Sequence, residues 1–167
     1  MLIKELRDLY GPIFIVTHGK TVIGQPDPWH SEQGKEKILK IQDYLPANSI
    51  NNVITGLGQR HIEIAGFLGL KINFFNHLLG DGTKLDDSDH RYIYLTSGAK
   101  VRREQLGRVG MREGLIALFK SLSPNTLVCT GRPVIHYLGQ EAYSTSLYLM
   151  EKGQLIKKVS FGDSWTE

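Results

Sequence analysis

The sequence predicts an α/β fold: a three-layer α/β/α sandwich around a mainly parallel central sheet. Three observations carry that expectation. Strand-like and helix-like segments alternate along the chain, the pattern of parallel strands joined by helical crossovers. Residues 13–16 and Thr126–Thr130 are continuous apolar or β-branched runs rather than alternating ones, as strands covered on both faces require. Three strand ends lead through short glycine-containing loops into helical patterns.

The first strand, Ile13-Phe14-Ile15-Val16, stops at the polar loop Thr17-His18-Gly19-Lys20-Thr21. Ser31 can cap a helix whose apolar residues Ile38, Ile41 and Leu45 recur at helical spacing, and Pro46 ends it. Val53-Ile54-Thr55 is a second short strand, turned by Gly56-Leu57-Gly58. The next helix carries Ile62, Ala65 and Leu68, with Gly69 at its C-terminus. Residues 72–75 read as a third strand. Residues 76–98 are the least regular part, with Gly80-Asp81-Gly82 and Asp86-Asp87-Ser88-Asp89; a long insertion in a compact domain is usually functional or mobile.

A long helix is expected over roughly residues 99–121, with Leu106, Val109, Leu115, Leu118 and Leu122 towards the core. Thr126–Thr130 is a fourth buried strand, followed by Gly131-Arg132-Pro133 and a short helix over 134–138. Residues 143–150 and Gln154–Ser160 form a hairpin turning at Lys152-Gly153. No internal repeat, low-complexity tract or linker divides the chain, so residues 1–167 are read as one domain.

With 41% hydrophobic and 22% charged residues, the composition is that of a soluble globular protein. No apolar run approaches the ~20 residues that span a bilayer, and the first residues lack a signal-peptide core, so a cytoplasmic protein without membrane contact is expected. Cys129 is the single cysteine, which excludes an intrachain disulfide and a cysteine-rich zinc site. The net charge of +3 comes from scattered residues. The pairs Arg102-Arg103 and Lys157-Lys158 do not interleave with aromatics, so no nucleic-acid partner is expected. The sequence assigns no oligomeric state.

In open α/β sheets ligands bind at the C-terminal ends of the strands. If the strands before His18, Gly56 and Gly131 are neighbours, their loops converge and bring an imidazole together with Arg60 and Arg132. A nitrogen nucleophile beside fork-shaped cations suits a phosphoryl group. His18 is open to two readings at this point, a nucleophile or a plain loop histidine at a strand end.

These segments resemble the histidine phosphatase superfamily, also called phosphoglycerate mutase-like. Thr17-His18-Gly19-Lys20-Thr21 stands where the family has Arg-His-Gly-Glu-Thr. Thr55 to Arg60, then His61-Ile62-Glu63-Ile64-Ala65, loosely match its Ser-Ser-Pro-Leu-x-Arg-Ala-x-x-Thr-Ala. Cys129 to Ile135 echo its Val-Ser-His-Gly-Gly-Val-Ile. Pro28-Trp29-His30-Ser31-Glu32-Gln33-Gly34 is similar to its Pro-Leu-Thr-x-x-Gly helix entry.

The resemblance implies a mechanism in which His18 takes the phosphoryl group and water then hydrolyses the phosphohistidine. Arg60, Thr17, Gly19, Lys20 and Arg132 are the implied phosphate-binding residues. The family's first arginine is replaced by Thr17 and its second histidine by Gly131, so Lys20 or Arg132 would have to supply charge. No glutamate proton donor is evident; Asp81 is the nearest candidate, with a turn residue as its other reading. The implied function is a phosphomonoesterase, or a protein binding a phosphorylated or anionic small molecule or a phosphoprotein, needing no cofactor and no metal. The alternatives are a catalytically inactive member serving as a ligand-binding or protein-interaction module, and an unrelated α/β binding domain.

Other signals are set aside. Val53-Ile54-Thr55-Gly56-Leu57-Gly58 imitates a dinucleotide fingerprint but has His61 at the third glycine position. Cys129 lacks the arginine six residues on that a cysteine phosphatase loop needs. His77, Asp81, Asp86, Asp87, Asp89 and His90 match no metal motif and are read as a solvated acidic loop. His61 and His136 are read as surface or packing residues of helices, and Trp29 and Trp165 as packing aromatics.

Overall fold

The structure, a computed structural model, describes residues 1–86, 88–89, 91–95, 97–102 and 110–164. The elements run β1 (Ile13–Thr17), α1 (Glu32–Ile41), β2 (Asn52–Thr55), α2 (Gln59–Phe67), β3 (Phe74–Phe75), β4 (Lys84–Leu85), β5 (Tyr92–Tyr94), β6 (Lys100–Arg102), α3 (Met111–Ser121), β7 (Thr126–Thr130), α4 (Arg132–Leu138), β8 (Ser146–Glu151) and β9 (Gln154–Ser160). The central sheet has the order β3-β2-β7-β1-β8-β9. Its first four strands are mutually parallel, and β8 and β9 add antiparallel.

Every residue of β1 and β7 is buried. Because successive side chains leave a strand on opposite faces, these runs feed two cores. Ile13, Ile15 and Val128 pack with Leu115 and Phe119 of α3 and with Val134, Ile135 and Leu138 of α4. Phe14, Val16, Leu127 and Cys129 pack with Ile38 and Ile41 of α1 and with Ile64 and Ala65 of α2. Two helices thus cover each face, which is the expected three-layer sandwich. Cys129 is buried in its strand. Among the described residues no helix is long and apolar enough to cross a membrane.

Ser31 caps α1 as expected, its Oγ accepting the Gly34 N–H at 3.1 Å. The same hydroxyl donates to the Lys20 carbonyl at 3.1 Å, which ties the helix start to the loop after β1. A side chain at Gly34 would collide with that carbonyl, so the first turn of α1 rests directly on the loop. Ser31→Ala is expected to cost about 1 kcal/mol of stability, read as a lower urea midpoint with an unchanged slope.

Three expectations are corrected. The third strand shrinks to Phe74–Phe75, because the Asn73 side chain occupies the Val53 N–H at 2.8 Å and delays regular pairing. Both phenylalanines are exposed, at 60% and 55%. The described residues of 76–98 hold more regular structure than expected: a short turn at His77–Leu79 comes first, and β5 pairs with β4 on one side and β6 on the other in a second, antiparallel sheet. That sheet takes Lys100–Arg102 out of the expected long helix, and α3 begins only at Met111, after Gly110 at φ 83°. Leu106 and Val109 lie outside the described residues, while Leu115, Leu118 and Leu122 do face the core.

The acidic loop is also less solvated than expected. Asp86 is buried, bonded to Lys100 Nζ at 2.8 Å, to the Ser88 backbone N–H at 2.8 Å and to the Tyr94 hydroxyl at 3.2 Å. Asp87, His90 and Trp165 lie outside the described residues. Among those described, no group of three or more His, Cys, Asp or Glu is placed to hold a metal ion.

Candidate functional site

Strands β2, β7 and β1 are adjacent and parallel, so their C-terminal ends deliver residues 56–58, 131 and 18–21 to one place. Backbone bonds fix the junction: His18 N–H donates to the Thr130 carbonyl at 3.0 Å and Gly56 N–H to the Cys129 carbonyl at 3.1 Å. The turn before β4 closes on it from above. Leu57 N–H donates to the Gly80 carbonyl at 2.6 Å, and the Thr130 hydroxyl donates to the Leu79 carbonyl.

His18 stands at the centre. Its Nδ1 lies 3.0 Å from the Gly19 carbonyl oxygen. A carbonyl only accepts, so Nδ1 carries the proton and Nε2 keeps its lone pair. Burial pushes this imidazole well below the usual histidine range, and the charge of Arg60 and the neighbouring His61 and His30 add to the effect. The ring is therefore neutral at physiological pH.

His30 secures the loop from behind. Its Nε2 accepts the Gly19 N–H at 2.8 Å, which leaves Nδ1 to donate to Glu63 Oε1 at 3.2 Å. The same carboxylate oxygen takes the His30 backbone N–H at 2.7 Å. Burial lowers the His30 pKa, and Glu63 opposes the shift. Glu63, His30, Gly19 and His18 thus form one chain of contacts that sets the orientation of the His18 ring.

Arg60, in the first turn of α2, is buried with its guanidinium donating to the carbonyls of Thr83 and, at 3.5 Å, Gly82. Asp27 Oδ1 lies 3.8 Å from Nη1. Burial lowers the Arg60 pKa, against the charges of Asp27 and Asp81, yet a guanidinium stays protonated in proteins. His61, the next residue, has its ring 5.5 Å from that of His18, and His30 lies 6.2 Å from His18 on centroid distances.

The other sequence candidates sit differently. The Thr17 hydroxyl donates to the Tyr143 carbonyl at 2.7 Å and accepts the Ser146 N–H at 3.1 Å, so it joins β1 to the start of β8. Lys20 is exposed. Arg132 Nη1 reaches the Ser164 carbonyl at 3.4 Å, near Asp163. Asp81 is exposed at the rim and its Oδ1 accepts the Thr83 N–H at 2.9 Å. Gly131 faces the nucleophile candidate directly: a Cβ there would lie 3.3 Å from His18 Cδ2 and Nε2.

The structure therefore groups His18, Gly19 and Arg60, and adds His30, His61 and Glu63, none of which the sequence singled out for the site. His61, read as a surface or packing residue, is 2% exposed and packs beside His18. Its position in the first turn after a strand-end loop was the available signal, since that turn faces the sheet's C-terminal edge.

The sequence matches no family model and no curated protein. Solved structures do match. A phosphoglycerate mutase from Thermus thermophilus is 14% identical, with a TM-score of 0.62 over 87% of this chain and 97% of that one. The open reading frame Rv3214 from Mycobacterium tuberculosis is 14% identical, with a TM-score of 0.62 over 90% and 96%. TTHB049, also from Thermus thermophilus, is 14% identical, with a TM-score of 0.60 over 87% and 98%. At such identities the likeness is one of fold, and the fold is phosphoglycerate mutase-like, as the sequence predicted.

Proposed function

We propose that this phosphoglycerate mutase-like protein is a histidine phosphatase that hydrolyses a phosphomonoester, carried on a small molecule or a protein, through a phosphohistidine at His18. One observation carries the reading. The Nδ1–H of His18 is held by the Gly19 carbonyl, so a neutral imidazole keeps its Nε2 lone pair free in a site whose strongest nearby charge is the Arg60 guanidinium.

The His18 Nε2 lone pair attacks phosphorus while the bond to the leaving oxygen breaks. The positive charge that develops on the ring is shared with the Gly19 carbonyl through the Nδ1–H. The leaving oxygen takes a proton, for which Asp81 at the rim is the candidate. Water then attacks phosphorus and gives a proton back to the Asp81 carboxylate, the bond from phosphorus to nitrogen breaks, and inorganic phosphate and neutral His18 are released. Arg60 holds phosphoryl oxygens by exchanging the Gly82 and Thr83 carbonyls for them. Lys20 reaches the same group from the exposed side of the loop. Arg132 does so by releasing Ser164.

The second reading, a ligand-binding protein without turnover, draws on the Thr17 hydroxyl, which is already engaged, and on the carbonyls that hold Arg60. The experiment that separates the two is trapping with p-nitrophenyl phosphate by an alkaline quench. The expected result is an acid-labile, alkali-stable phosphoryl group on the peptide containing residue 18. Tight phosphate binding with neither phosphoenzyme nor hydrolysis would leave only the second reading.

A further inference from the structure

His61 carries a polar hydrogen that the fold does not use. Its Nδ1 accepts the Gly58 N–H at 3.2 Å, which places the proton of the neutral ring on Nε2. Among the described residues no group accepts that hydrogen, although the residue is 2% exposed. The nitrogen itself is not sealed in: among the described residues Glu5 Oε1 is the buried side-chain atom without a partner, so the His61 N–H stays open to a ligand.

The setting is built for this ring. A Cβ at either Gly56 or Gly58 would lie 2.8 Å from His61 Nδ1, and one at Gly80 would collide with Cε1. Three glycines from two loops thus leave the volume that the imidazole fills. The His18 ring stands 5.5 Å away at an interplanar angle of 65°. Its Nε2 also lacks a hydrogen-bond partner among the described residues, and across from it Gly131 presents no side chain.

The two rings offer opposite things at one place, a lone pair on His18 and an N–H on His61. A tetrahedral oxyanion satisfies both, with its central atom towards His18 and one oxygen towards His61. We propose that His61 Nε2–H donates a hydrogen bond to an oxygen of the phosphoryl group transferred to His18. The proposal rests on the function proposed above and adds a catalytic residue to it. No proton is transferred: the bond strengthens as charge gathers on the oxygens, in the manner of an oxyanion hole. With Arg60, it makes consecutive residues of one helical turn grip the same group.

Orthovanadate, a tetrahedral oxyanion that can expand its coordination, is the probe. His61→Leu keeps the volume and removes the donor, and is expected to weaken orthovanadate binding at least about tenfold and to lower kcat by about 10²-fold. His61→Gln returns an N–H near the position of Nε2 and is expected to recover most of both. In the wild type, long-range 1H–15N spectra should show the His61 Nε2 signal moving on vanadate addition while that of His136 stays. A stationary His61 signal, wild-type vanadate affinity in His61→Leu, or equal losses in the leucine and glutamine variants would overturn the proposal. The spectra need no variant, so a misfolded His61→Leu leaves the test intact. A wild type that binds neither phosphate nor orthovanadate overturns both this proposal and the underlying function. A wild type that binds vanadate without forming a phosphoenzyme removes turnover alone, and the proposal is then judged on binding and spectra.

Discussion

His18→Ala is expected to lower the turnover of a phosphomonoester by at least about 10⁴-fold, the scale on which removing a covalent nucleophile acts. The reason lies in the division of labour at the ring. Nδ1 is spent on the Gly19 carbonyl and Nε2 has no hydrogen-bond partner among the described residues, so no neighbouring imidazole inherits its role. His30 and His61 each use one nitrogen as an acceptor already. Inorganic phosphate should still bind to the variant through Arg60, with a change in affinity far smaller than the change in rate. Steady-state kinetics together with calorimetric titration of phosphate check this. A plain loop histidine would give the opposite pattern: turnover in the alanine variant would stay within a few-fold of wild type.

The second large effect is on stability. Burial lowers the pKa of His18, His30 and His61 from an ordinary value of 6.5, and it is the leading cause in each case. The unfolded chain therefore takes up protons below about pH 6.5 that the folded chain refuses. Since stability rises with pH wherever the unfolded state binds more protons, the full stability is present above that pH and is lost as pH falls below it. Each histidine held neutral by the fold adds a slope of up to about 1.4 kcal/mol per pH unit. Urea midpoints at about pH 7.5, 6.5 and 5.5 should show a plateau followed by a steep fall. A flat profile across that interval would mean that the three rings are not held neutral by the fold. Activity of the folded protein should hold through that window and fall only at lower pH, where a protonated His30 can no longer accept the Gly19 N–H and the loop that orients His18 loses its support.

Much of this architecture was legible before any coordinates. Four-residue apolar runs with no alternation suit strands covered twice, and glycines at their ends mark where the chain turns into helices. Ser31 and the hairpin at Lys152-Gly153 could be placed because capping and tight turns depend on residues next to each other in sequence. The second sheet was hidden for the converse reason. Strands of two or three residues are too short to show a period, and Lys100-Val101-Arg102 acquires its conformation from partners at 92–94. The site divided along the same line. His18 and Arg60 stand at strand ends and could be found from their neighbours in sequence. His30 owes its role to contacts with Gly19 and Glu63, and His61 to a place beside His18 in space left by Gly80, neither of which a local pattern records.

The contact between Gly131 and His18 makes substitution at this site depend on order. A histidine at 131 would restore the residue type that the resembling family carries there. Its Cβ, however, would press on His18 from 3.3 Å while Gly19 anchors the far side of that ring and His61 stands 5.5 Å from it. Positions 131 and 61 therefore both bear on one fixed ring, and changes at the two are not expected to add. A designer rebuilding the pocket would have to make room beside His18 first and enlarge residue 131 second; the reverse path leads through a crowded intermediate in which the His18 ring itself is displaced.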